Sequence, residues 1–87
     1  MMVELELVQA WESAYRQYTA MSATVNRFPS VDQRLAWEMA AASAAVASAW
    51  RALECDGFHP WWLTAAVRSA AEAFEGQAQD WEERARW

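Results

Sequence analysis

Proline occurs twice in this chain, at 29 and 60, and these two positions constrain the fold more than any other feature. Proline lacks a backbone donor and pushes the residue before it out of helical geometry. Pro29 sits in Phe28-Pro29-Ser30, and Pro60 closes the run Asp56-Gly57-Phe58-His59-Pro60. The three stretches that remain are long and rich in alanine, and they contain one further glycine, Gly76. Alanine is the best helix former, and glycine and proline are the worst. The expectation is therefore three long helices, over about residues 3–27, 31–54 and 60–86.

The break residues suit that division. Ser30 reads as an N-cap with Gln33 three residues later, a capping box, and Asp32 then falls in the first turn, where the helix dipole favours an acid. Gly57 reads as the left-handed residue that ends the second helix. Pro60 fits the first position of the third, with His59 as its cap.

Each stretch carries helical periodicity. In the first, Val8, Trp11, Tyr15, Tyr18, Ser22 and Val25 alternate spacings of three and four, flanked by Leu7, Ala14, Met21 and Phe28. In the second, Leu35, Met39, Ala42, Val46, Ala49 and Leu53 form one stripe. In the third, the stripe runs through Leu63, Ala66, Val67, Ala70, Phe74, Gln77, Ala78, Trp81 and Ala85. Glu12–Arg16, Asp80–Arg84 and Glu82–Arg86 are spaced for favourable pairs one turn apart. Three helices of similar length joined by short turns predict one all-α domain over residues 1–87, an up-down-up antiparallel three-helix bundle. A chain of 87 residues buries only a small core, so dimerisation into a larger helical bundle is a natural supplement.

The second helix departs from the ordinary pattern. From Met39 to Trp50 it has no charge at all. The side opposite its apolar stripe is Trp37, Ala41, Ala44, Ser48 and Ala52, and it is not polar either. The outer faces of the first and third helices carry acids, arginines and glutamines, as a wetted face should. A large aromatic among small residues on a face with no charge is the pattern of a helix–helix contact. These five residues are the expected interface, with a second copy or another protein as partner.

Other features carry less. Trp61 and Trp62 point about 100° apart on a helix, so both cannot enter one core, and they are candidates for contact with a ligand or partner. Glu72, Glu75, Glu82 and Glu83 form an acidic face on the third helix, from which an alternative function follows: a decoy that occupies a basic surface of another protein. Cys55 and His59 stand four apart across the second turn, but no third group is placed to orient them as a nucleophile and its base. Arg16, Arg27 and Arg34 gather near the first turn in sequence, without a motif that would make them catalytic. With one histidine and one cysteine, no metal-ligand spacing is present. The expectation is no catalytic residue, no metal and no cofactor.

Charge narrows the partners. The net charge is −5 and the sequence pI about 4.7, which opposes binding to nucleic-acid phosphates and to anionic lipid. A single cysteine excludes an internal disulfide and suits a reducing compartment. Residues 1–10 contain Glu4 and Glu6 and no basic region, so they do not read as a signal peptide, and a cytoplasmic location is expected. Lysine and isoleucine are absent and arginine supplies every fixed positive charge, a bias expected of a high-GC genome of actinobacterial or phage type.

Overall fold

A computed structural model describes residues 2–27, 32–55 and 61–86 of the chain. It holds three helices, α1 (Met2–Asn26), α2 (Gln33–Cys55) and α3 (Trp61–Arg86), and no strand among the described residues. Their packing is that of a helical bundle. The expected capping residues Ser30, Gly57 and His59, and with His59 the Cys55–His59 pair, lie outside the described residues.

The start of α2 differs from expectation. Asp32 is not inside the first turn but caps it: its carboxylate accepts the backbone N–H of Leu35 at 2.8 Å, and its carbonyl accepts that of Ala36 at 3.0 Å. An ionised carboxylate three residues ahead of the N–H it accepts satisfies an orphan donor and faces the positive end of the helix dipole. On the other side of the same break, α1 tightens as it ends, with the Arg27 N–H donating to the Thr24 carbonyl at 3.1 Å.

α2 is the central element, since both other helices pack on it. It has two buried rows where the sequence pattern showed one. Met39, Ala42 and Val46 belong to the expected stripe and are buried. Ala36, Ala40, Ser43 and Ala47 form a second buried row beside it. On α3 the buried positions are Val67, Ala71, Ala78 and Ala85. Small residues therefore recur every seventh position on both helices, at Ala36 and Ser43, at Ala40 and Ala47, and at Ala71, Ala78 and Ala85. Side chains of one or two heavy atoms let helix backbones approach closely, and α2 with α3 is the most intimate pair in the molecule. The sequence stripe on α3 omitted Ala71 and included Ala66, but Ala71 is buried and Ala66 is exposed.

α1 is held differently. None of its described side chains is fully buried. It packs on α2, but its backbone does not come close to that of α3. Aromatic side chains span that gap: Tyr15 and Tyr18 meet the Phe74 ring edge-on at 6.4 and 5.0 Å, and the Tyr18 hydroxyl donates to Gln77 Oε1 at 2.7 Å. Further along, Trp11 stacks on Tyr15 and meets Trp50 of α2 edge-on at 5.0 Å.

Candidate interaction face

The residues expected at an interface lie together on the solvent side of α2. Trp37 is 43% exposed, and Ala41, Ala44 and Ser48 are exposed with it, while Ala52 is half-buried. Ala45, which the sequence reading did not include, is exposed on the same side. Charge is confined to the ends of this face. Arg34 and Glu38 lie 4.0 Å apart at one end, and Arg51 and Glu54 are at the other. The centre offers water nothing to hydrogen-bond except the Ser48 hydroxyl.

Beside this face a groove of about 360 Å³ runs between α1 and α2, lined by Gln17, Ala20, Met21, Glu38, Ala41 and Ala45. It arises because alanines on both helices leave their backbones uncovered. Apart from Glu38 at one end, the groove extends the uncharged surface from α2 across to α1.

The other candidates are placed apart from it and from one another. Trp61 is 81% exposed and Trp62 59% exposed at the start of α3, so neither enters the core. Glu72 and Glu83 are exposed, but Glu82 is half-buried and Glu75 is already engaged. Both Glu75 carboxylate oxygens accept from Arg51, at 2.9 and 3.0 Å, and Arg51 also pairs with Glu54 at 3.0 Å. Arg68 completes the chain at 2.7 Å from Glu54. The hydrogen bond from Arg68 and then that from Arg51 hold the Glu54 carboxyl below the usual carboxylate range, and Arg51 does the same for Glu75. This is a clasp between α2 and α3 that the sequence pattern did not reveal, because its partners are 24 and 14 residues apart. Arg16 pairs with Glu12 at 3.5 Å and Arg34 with Glu38, so the arginines near the first turn do not converge on one site.

Of the expected pairs one turn apart, Glu12–Arg16 forms. Asp80–Arg84 and Glu82–Arg86 do not form among the described residues, and Arg84 instead lies over the Trp81 ring, 4.6 Å from its centre. No group of three or more His, Cys, Asp and Glu side chains that would hold a metal ion occurs among the described residues. No described helix is long and apolar enough to cross a membrane. Comparison with protein-family models, with curated proteins and with solved structures finds no match for this chain.

Proposed function

We propose that this protein is a small non-catalytic protein–protein interaction module that pairs through the outer face of α2, and that its partner on that face is a second copy of itself. The observation that carries this reading is Trp37, 43% exposed in a row of exposed small residues with no charge between Glu38 and Arg51. Leaving an indole in water while flat, uncharged surface lies beside it forgoes hydrophobic stabilisation that a partner would supply.

The face suits a second copy because it is complementary to itself. A two-fold axis between Ala44 and Ala45 sets Trp37 opposite Ala52 of the other copy, and Ala41 opposite Ser48. Bulk then meets small residues on both sides of the axis, the requirement of an isologous contact. Glu38 falls opposite Arg51 in the same arrangement, and each end of the face carries both signs, Arg34 with Glu38 and Arg51 with Glu54, so no like-charged ends are forced together. Such a dimer would serve as an adaptor, a regulator or an inhibitor of a larger protein, and a reducing, cytoplasmic setting suits its single cysteine.

The same reading takes the bundle as up-down-up. Trp11 meets Trp50 early on α1 and late on α2, and Glu54 meets Arg68 while Arg51 meets Glu75. These pairings support neighbouring helices that run in opposite senses. The decoy reading is weaker, because Glu75 is neutralised by Arg51.

Solution mass by light scattering tests the proposal. The native chain should have the mass of a dimer, with a Tm that rises with protein concentration. Trp37→Glu should be a folded monomer with a Tm independent of concentration. A monomeric native chain, or a Trp37→Glu variant that remains dimeric, would overturn self-pairing through α2.

A further inference from the structure

On the other side of the molecule, the gap between α1 and α3 opens beyond the Tyr18–Gln77 bond into a cavity of about 340 Å³. Its floor is Met39 of α2, only 2% exposed. Tyr18 and Val25 line it from α1, and Gln77, Trp81 and Arg84 from α3, with Asp80 also on its wall. We infer that this cavity binds a small flat monocarboxylate, its ring against Trp81 and Met39 and its carboxylate on Arg84. The inference does not rest on self-pairing through α2, whose outer face the cavity does not share.

Arg84 is the main reason. Arg16, Arg34, Arg51 and Arg68 pair with carboxylates, while Arg27, Arg84 and Arg86 pair with none among the described residues, and of these three only Arg84 lines the cavity. Asp80 stands one turn before it, in the favourable order for a pair, yet the guanidinium lies on the Trp81 ring instead, 4.6 Å from its centre. A guanidinium laid on an indole keeps its in-plane N–H groups available, and their forked geometry matches a carboxylate. The indole also limits the motion of the guanidinium, so less conformational freedom is lost when an anion binds.

The rest of the wall sets the class of ligand. Tyr18 occupies Gln77 Oε1, which leaves the Gln77 amide nitrogen as a donor into the same region. The Met39 thioether and the Trp81 ring favour a flat, polarisable body. Asp80 and the net charge of −5 oppose a second negative charge, so a monocarboxylate is favoured over a phosphate ester. The volume is at the lower end for ligand sites and suits a single ring system.

The test is a titration of the full-length ¹⁵N-labelled chain, with benzoate as probe and inorganic phosphate as control, followed by amide and indole N–H shifts. Benzoate should move the Trp81 indole and Gln77 side-chain signals along a saturable curve, with a Kd of about 1 mM or tighter. Arg84 is an exposed side chain whose removal leaves the core intact, so Arg84→Gln should keep the native spectrum yet bind at least about tenfold more weakly. Trp37→Glu should bind benzoate as the native chain does. The inference is overturned if no saturable shift appears by about 20 mM benzoate, if Arg84→Gln titrates like the native chain, or if phosphate reproduces the shifts.

Discussion

The hydroxyl of Ser43 is fully buried between α2 and its neighbours and has no hydrogen-bond partner. A desolvated hydroxyl without a partner is a net cost, while alanine has the same small size without that cost. Ser43→Ala should therefore raise stability by about 1 kcal/mol, read as a higher urea midpoint with an unchanged slope. A lower midpoint would mean that a buried water satisfies the hydroxyl. Glu54 makes the opposite kind of prediction. It and Glu75 hold their charge more readily in the folded chain than in the unfolded one, because Arg68 and Arg51 donate to them. The stability they contribute is complete above the ordinary carboxylate range and is lost as pH falls through their lowered folded values. Thermal unfolding followed from neutral pH downward should show an acid-side loss of Tm. Glu54→Gln, which cannot ionise, should have a lower Tm at neutral pH and a smaller loss on acidification. A native Tm insensitive to pH across that range would show that the clasp contributes nothing.

At the scale of the helix, α3 contains one residue that works against it. Gly76 lies in the helix interior, and a Cβ added there would meet nothing within 4 Å. Glycine costs about 1 kcal/mol relative to alanine at such a position, so Gly76→Ala should raise Tm by lowering the freedom of the unfolded chain without disturbing any neighbour. Calorimetry checks this, and a fall in Tm would mean that another chain approaches the helix there. The pairing of α2 with α3 was only partly legible. The spacing of Ala71, Ala78 and Ala85 is visible in the sequence, but alanine looks the same on a buried row and on a wet one. Ala44 and Ala71 are the same residue type with opposite fates. What separates them is whether a second helix lies over the row. The Arg51–Glu75 clasp was hidden for a related reason: charge pairs are readable one turn apart on one helix, but not across two.

As a whole the molecule extends 43 × 20 × 16 Å, a narrow body whose length is that of its helices, about 38 Å for the 26 residues of α3. Its width follows from unequal packing. α2 and α3 come together through alanine and serine, while Tyr15, Tyr18 and Phe74 hold α1 and α3 apart and leave the cavity above Met39. The sequence by itself determined the number of helices, their limits to within two residues, and the uncharged row on α2. Breakers, caps and helical periodicity are local properties, and each can be read over one or two turns of chain. Only the tertiary structure decided which rows of small residues were covered and which were left in water. It also decided that Arg51 of α2 would clasp Glu75 of α3. Those outcomes depend on how close two helices come, and that distance is set by the side-chain volumes of both at once.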